Sequence, residues 1–124
     1  GAKQVMYNSW KQFEETLMQL LTPDTLNSLP AAIRPRLVNL FASTTPALLT
    51  SIRDHATNGD LIAMAQAAHK LKGSCVGLGA QQMADICKTL QHKGETGDIS
   101  EIQTLSQTLE QLYPATLAQL QTLV

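Results

Sequence analysis

The chain has few aromatic residues, few cysteines and almost no net charge. Aromatic residues make up 4% of the 124 residues, so a core must consist mainly of Leu, Ile, Val, Ala and Met. A formal net charge of −1 gives no sign of a nucleic-acid partner. No apolar run approaches the roughly 20 residues that span a membrane, and the N-terminus does not resemble a signal peptide. We expect one cytoplasmic domain that binds no nucleic acid and does not insert into a membrane.

The two cysteines, Cys75 and Cys87, are not spaced as metal ligands. We expect both to stay reduced and to be buried, because free cysteine is among the most buried residue types. A metal-binding bundle would need patterns such as Glu-x-x-His on facing helices. Glu14, Glu15 and Asp54 do not stand at such a spacing from any histidine. We therefore expect no metal site, although a metal-binding bundle remains an alternative.

Apolar residues recur at steps of three and four along nearly the whole chain, which is typical of amphipathic helices. One such stripe consists of Leu61, Met64, Ala68, Leu71 and Cys75. No stretch of any length alternates as a strand would. Short connections between amphipathic helices predict antiparallel neighbours. The expected fold is all-α, with an antiparallel four-helix bundle over residues 31–124 and a helical extension over residues 1–30 that packs on it.

Capping residues predict where the first helices begin. The first apolar stripe consists of Trp10, Phe13, Leu17, Leu20 and Leu21. Ser9 with Gln12 forms a capping box for that helix. Pro23 favours the first position of a short helical turn. A long helix then begins between Pro30 and Pro35.

Glycines predict where the middle helices end. The long helix contains Pro46, which should bend it, and Asn58 followed by Gly59 should end it. Asp60 is placed to cap the next helix. Gly77 and Gly79 mark the end of that helix and the turn that follows.

The last connection is predicted from a second pair of glycines. Gly94 should stop the penultimate helix, and residues 94–97 should form a short loop. Asp98 with Glu101 offers a cap for the final helix. Pro114 lies inside this final helix and should kink it.

His69 lies beside the apolar stripe of its helix, about 100° from the centre of the stripe on a helical wheel. Lys72 and Gly73 follow three and four residues later, on the face that carries the histidine. A glycine inside a helix costs about 1 kcal/mol relative to alanine, which is odd unless something must approach the imidazole. The pattern indicates a histidine accessible to another macromolecule. For His55 and His92 we adopt the commoner interpretation of an ordinary surface histidine.

The segment from Ala68 to Ala80, AHKLKGSCVGLGA, closely resembles the signature of histidine-containing phosphotransfer (HPt) domains. Leu90 and Gln91 match a pair that this family places on the following helix, facing the active histidine. The resemblance runs from about Leu37 to Leu112. It implies a phosphorelay module of two-component signalling, of the kind found in hybrid sensor kinases at the cytoplasmic side of a membrane.

The resemblance implies a role for each matching residue. His69 would accept a phosphoryl group on Nε2, and Lys72 would help to hold the phosphoryl oxygens or the partner's acidic pocket. Gly73 would give the partner clearance, and Gln91 would contact and orient the imidazole. The donor would be an aspartyl phosphate on a response-regulator receiver domain, which would bring its own Mg²⁺. No cofactor is expected on this chain, which is expected to be a monomer.

Two other functions remain open. A plain helical interaction module would have the same apolar stripes, and it differs only in the set of His69, Lys72, Gly73 and Gln91. The dimerisation domain of a sensor kinase also carries an active histidine, but an acidic residue usually follows it, whereas Lys70 follows here. Without a Walker-type or kinase-type glycine pattern, the chain should not phosphorylate itself from ATP.

The residues beside His69 indicate where a partner would dock. Val76 lies near 80° on the same helical wheel and borders the histidine. We expect a receiver to cover the flank formed by Ala65, Val76 and the exposed side of the helix that carries Gln91. The alternative is that Val76 packs on a neighbouring helix.

Overall fold

The computed structural model describes residues 2–8 and 20–124, and the range 2–8 is helical. Five further helices follow: α1 (Pro23–Asn27), α2 (Arg34–Asn58), α3 (Leu61–Leu78), α4 (Gln81–Thr96) and α5 (Ile102–Thr122). Within these described ranges no residue is in a β-strand. The predicted all-α class is confirmed. The predicted capping box of Ser9 and Gln12, and Trp10, Phe13 and Leu17 of the first stripe, lie outside the described residues.

Helices α2 to α5 form a four-helix bundle. Helix α2 packs against α3 and α5, and α4 packs against the same two helices. Two residues join α2 to α3, and two join α3 to α4, so successive helices run antiparallel. The core lies between them and is fully shielded from solvent at Ile52, Met64, Leu71, Leu90 and Leu109. The predicted antiparallel bundle is confirmed.

Most of the predicted helix ends are correct. Pro23 occupies the first turn of α1, and α2 begins at Arg34, between the two expected prolines. Gly59 ends α2 with a left-handed φ of 73°, and Asp60 caps α3 by accepting a hydrogen bond from the amide of Ala63 at 3.3 Å. Helix α3 continues past Gly77 and ends at Gly79, so only the second glycine of that pair is a terminator.

Helix α2 continues past its internal proline because another helix supplies the missing donor. Pro46 has no N–H with which to bond the carbonyl of Ala42, four residues earlier. The hydroxyl of Tyr113 on α5 donates to that carbonyl oxygen at 3.3 Å. The Tyr113 ring also meets Phe41 edge to face, with ring centroids 5.7 Å apart. Helix α5 likewise continues past Pro114.

The segment before α2 packs on the bundle. Leu20, Leu21 and Leu26 are buried in the common core. The amide of Thr22 donates to the carbonyl of Gly79 at 2.7 Å, so this segment covers the turn between α3 and α4. The division into an extension over residues 1–30 and a bundle over residues 31–124 stays a prediction.

Gly94 does not stop its helix, contrary to the prediction. Helix α4 runs to Thr96 and is ended by Gly97, which has a left-handed φ of 75°. Gly94 is buried where α4 crosses α3, and a Cβ there would come within 2.5 Å of the Leu61 carbonyl oxygen and 2.7 Å of Ala65 Cβ. The absence of a side chain serves close helix packing rather than chain reversal.

The predicted cap of α5 by Asp98 and Glu101 is also wrong. Asp98 accepts a hydrogen bond from the amide of Ser100 at 2.9 Å, and Lys93 Nζ lies 3.2 Å from its other carboxylate oxygen. The Ser100 hydroxyl and amide, with Lys93, lower the pKa of Asp98 to about 2. The Asp98 carboxylate thus bonds to the backbone two residues later instead of to the start of α5. Glu101 immediately precedes α5 with a left-handed φ of 62°, and its side chain does not cap the helix.

Substitution of Gly94 by alanine should destabilise the protein. The added methyl group would overlap the Leu61 carbonyl and Ala65, and overpacking of this kind costs about 1–3 kcal/mol. Gly77→Ala is the matched control, because a Cβ at this helical position meets nothing within 4 Å. The control should be more stable than the wild type by up to about 1 kcal/mol. Urea unfolding of the three proteins measures both effects, and a Gly94→Ala protein as stable as the control would contradict the close crossing.

Candidate functional site

His69 is exposed on a rigid support. It lies in the middle of α3, while the adjacent Ala68 and Leu71 have no exposed surface. The backbone that carries the imidazole is therefore held by the core on one side and is open to solvent on the other. The predicted exposure of His69 on the flank of the apolar stripe is confirmed.

The side chain of Gln91 joins His69 to Lys72. Gln91 is on α4 and places its Oε1 atom 3.2 Å from His69 Nδ1. Lys72 Nζ donates to the same Oε1 atom at 2.9 Å. One amide oxygen thus contacts the imidazole and the nearest ammonium group at once.

The orientation of the Gln91 amide follows from the chemistry of its neighbours. Its Nε2 atom donates to a carboxylate oxygen of Glu95 at 2.8 Å. An ammonium group can only donate and an ionised carboxylate can only accept, so Oε1 must face Lys72 and Nε2 must face Glu95. Both ends of the amide have a complementary partner.

This orientation also selects the tautomer of His69. Because Gln91 Oε1 is an acceptor, the Nδ1 atom 3.2 Å away contributes a hydrogen bond only when it carries the proton. In the neutral ring the lone pair then lies on Nε2, the outer nitrogen. An unprotonated, exposed imidazole nitrogen is a nucleophile at neutral pH.

The crossing at Gly94 brings Gln91 within reach of His69. Gly94 faces Ala65 so closely that an added Cβ would lie 2.7 Å from the Cβ of Ala65. Gln91 lies three residues before Gly94, and His69 lies four residues after Ala65, so in antiparallel helices both lie one turn further along the same crossing. A side chain at position 94 would push the helices apart and lengthen the contact between Gln91 and His69.

Gly73 lies one turn after His69, on the same face, and has open space around it. A Cβ at this position would meet nothing within 4 Å, and its backbone has no left-handed φ. The folded chain itself therefore has no need of a glycine there. The predicted role of Gly73, clearance for an approaching molecule, is compatible with this open space and stays a prediction.

Apolar surface lies close to this cluster. Val76 is 56% exposed and Leu40 is 59% exposed, so Val76 does not pack on a neighbouring helix. A groove of about 420 Å³ between α2 and α3 is lined by Leu37, Leu40, Phe41, Thr44, Gly73 and Gly77, among others. Ala65, predicted to belong to the docking flank, is only 4% exposed because it packs against Gly94. Ala65 nevertheless lines a second groove, of about 650 Å³, together with His69 and Gln91, and its place in the docking flank stays a prediction.

The two cysteines belong to the core under the site. Cys75 and Cys87 are both free and buried, as predicted. A hydrogen bond with Cys87, together with burial, raises the pKa of the Cys75 thiol far above its ordinary value. The thiol therefore stays protonated and unreactive. In the described part of the chain, no three His, Cys, Asp or Glu side chains lie together as metal ligands do. None of the described helices is long and apolar enough to cross a membrane.

The structure brings together His69, Lys72 and Gln91, with Gly73 beside them. Lys72 is directed towards Gln91 rather than out into solvent. Glu95 also belongs to this cluster and was not predicted from the sequence, although its place four residues after Gln91 puts both on one helical face.

Comparisons with known proteins identify the family and the fold of the chain. Residues 36–122 match the model of a family described as the Hpt domain. The chain resembles the crystal structure of histidine-containing phosphotransfer protein B (HptB) from Pseudomonas aeruginosa PAO1, with 24% sequence identity and a TM-score of 0.77. The similarity covers 83% of this chain and 92% of that chain. At 24% sequence identity it shows that the two chains share a fold. No curated protein matches the chain significantly.

Proposed function

The chain belongs to the family of Hpt domains, the histidine phosphotransfer modules of phosphorelays, and we propose that His69 is its phosphoryl-accepting residue. The observation that carries the proposal is the contact between His69 Nδ1 and Gln91 Oε1 at 3.2 Å. This contact favours the tautomer of His69 in which Nδ1 carries the proton and the outer nitrogen, Nε2, is unprotonated. His55 and His92 have no hydrogen bond to an amide side chain among the described residues.

The proposed transfer needs no proton to move. The lone pair of His69 Nε2 attacks the phosphorus of an aspartyl phosphate on a receiver domain, opposite the acyl oxygen. The N–P bond forms as the P–O bond breaks, and the aspartate leaves as a carboxylate. Nδ1 keeps its proton, and the positive charge that develops on the ring faces the Gln91 amide oxygen. Return of the phosphoryl group to a second receiver reverses these steps.

Lys72 is proposed to stabilise the transferred group. Its ammonium lies one helical turn from His69 and is held at 2.9 Å from Gln91 Oε1. A flexible ammonium can leave that oxygen and pair with a phosphoryl oxygen, where charge neutralisation lowers the barrier. The Mg²⁺ that phosphoryl transfer requires is proposed to come with the receiver, and no cofactor is proposed for this chain.

A receiver is proposed to dock over the apolar surface beside His69. Hpt domains pass phosphoryl groups to receiver domains. The exposed Val76 lies on α3 and the exposed Leu40 lies on α2. Gly73, one turn after His69, adds no side chain to this surface. The expectations of a monomer, of no nucleic-acid partner and of a place at the cytoplasmic end of a sensor kinase stay predictions.

Incubation with a phosphorylated receiver domain should label this chain with acid-labile phosphate. His69→Gln should remove the label, because glutamine has no nucleophilic nitrogen. The matched control is His92→Gln, which changes an exposed histidine next to Gln91 in sequence and should keep full labelling. Radiolabel transfer followed by gel separation measures all three proteins.

Label that persists on His69→Gln would contradict the assignment of His69. Failure of the wild type to accept label from, or to bind, a panel of receivers would instead favour a plain helical interaction module. Labelling by ATP alone would contradict the expectation that the chain does not phosphorylate itself.

Substitution of Gly73 by alanine should separate stability from function. The isolated protein should become more stable by up to about 1 kcal/mol, since a helix gains from alanine and the methyl group meets nothing. Phosphotransfer should slow by roughly tenfold or more, because a misplaced donor loses its in-line geometry. Urea unfolding and the initial rate of label transfer measure the two effects. An unchanged rate would show that the glycine provides no clearance.

Substitution of Val76 by glutamate tests the docking surface. A charge placed under a docked receiver should slow transfer by roughly tenfold through weaker binding, with little change in unfolding free energy. Ile99→Glu is the control, because Ile99 is 71% exposed but lies in the loop between α4 and α5. The dependence of the rate on receiver concentration measures the effect. Equal behaviour of the two variants would remove Val76 from the interface.

A further inference from the structure

We propose that Glu95 is a positioning residue, which holds the Gln91 amide in the orientation that leaves His69 Nε2 free to react. The inference rests on the proposed role of His69 as phosphoryl acceptor, and it adds a residue that touches neither the imidazole nor the phosphoryl group. Its basis is the chain of hydrogen bonds from Glu95 through Gln91 to His69 and Lys72.

The contact itself is short and local. Glu95 is exposed on α4 and accepts a hydrogen bond from Gln91 Nε2 at 2.8 Å. The two residues are four apart in one helix, so their side chains are neighbours whatever the rest of the bundle does. A carboxylate also accepts more strongly than a neutral group.

The opposite amide orientation would disable the nucleophile. If the Gln91 amide turned over, its NH₂ group would face His69 Nδ1 and the ammonium of Lys72. The ring could then accept that hydrogen bond only with the lone pair on Nδ1 and the proton on Nε2. The reactive nitrogen would be blocked, and Lys72 would face a second donor instead of an acceptor. Glu95 opposes this turn because its oxygen would then face Gln91 Oε1.

Glu95 matters most when Lys72 is occupied elsewhere. In the resting arrangement Lys72 and Glu95 hold opposite ends of the amide. When Lys72 pairs with a phosphoryl oxygen, as proposed, Glu95 is the remaining charged group that orients Gln91. The amide oxygen then stays on Nδ1–H while the phosphoryl group is on Nε2.

The test is the tautomer ratio of His69 in the unphosphorylated chain, read from imidazole ¹⁵N shifts at alkaline pH, with His69→Gln used to assign the signals. Glu95→Ala should lower the ratio of the Nδ1–H to the Nε2–H form by about twofold, the size of effect of one exposed pair at this spacing. In a Lys72→Ala background the same change should lower the ratio further than in the wild type. Glu95→Gln keeps an acceptor oxygen and should restore most of the ratio.

Asp85→Ala is the matched control. Gln81 Nε2 donates to Asp85 at 2.8 Å on the same helix, with the same spacing of four residues, but away from His69. This variant loses an equivalent helix contact and should leave the tautomer ratio unchanged. A shift equal to that of Glu95→Ala would mean that the effect is general loosening of α4 and would overturn the proposal.

The same variants distinguish this inference from the proposed function. If Glu95→Ala leaves the ratio unchanged in both backgrounds while His69 still accepts phosphate, the positioning role fails and the function stands. If the ratio shifts as expected, the positioning role is supported even where a receiver transfers nothing, because the measurement involves no partner. Slower transfer by Glu95→Ala, with Asp85→Ala unaffected, supports both.

Discussion

The close antiparallel crossing of α3 and α4 is the constraint on which the rest of the site depends. Gly94 lets α4 approach the backbone of α3 at Leu61 and Ala65. From that contact the helical repeat brings Gln91 opposite His69, and further along it brings Cys87 against Cys75 in the core. A wider crossing would lengthen the 3.2 Å contact between Gln91 Oε1 and His69 Nδ1. The imidazole of His69 thus meets its hydrogen-bond partner through packing between two helices rather than through a residue of its own helix.

A neutral amide is well suited to the position beside the imidazole. A carboxylate in place of Gln91 would accept from Nδ1–H more strongly, but it would also favour the doubly protonated ring, which has no lone pair. An amide accepts the hydrogen bond without supplying a negative charge. The Oε1 and Nε2 ends of the amide have nearly the same shape, so the side chain alone does not determine which end faces His69. The orientation follows from the two charged neighbours, because Lys72 donates to Oε1 and Glu95 accepts from Nε2.

The regular parts of the fold could be predicted from the sequence because they depend on local chemistry. A left-handed glycine such as Gly59 and a capping aspartate such as Asp60 act within a few residues of the chain. The predictions for Gly94 and Asp98 were wrong because each residue type has two common uses that look the same in sequence. A glycine can end a helix or allow close packing, as Gly94 does against Ala65. An aspartate can cap a helix or stabilise a turn, as Asp98 does with Ser100. Of the site, the position of His69 followed from helical periodicity, whereas Gln91 came only from resemblance to a family. The spacing of four residues between Gln91 and Glu95 is visible in the sequence, but a role for Glu95 could be inferred only once the orientation of the Gln91 amide was known.

Two glycines inside helices show how a structure separates fold from function. Each lowers helix stability relative to alanine by about 1 kcal/mol, so each requires a compensating reason. For Gly94 the reason lies inside the molecule, because a Cβ would overlap the facing helix. For Gly73 no atom of the described chain occupies the space that a Cβ would take, and the proposed reason for the glycine is clearance for a docked receiver. Gly77 has the same open space in the same helix, so open space alone does not identify a docking surface. It is the place of Gly73 one turn from His69 that favours a role in docking under the proposed function.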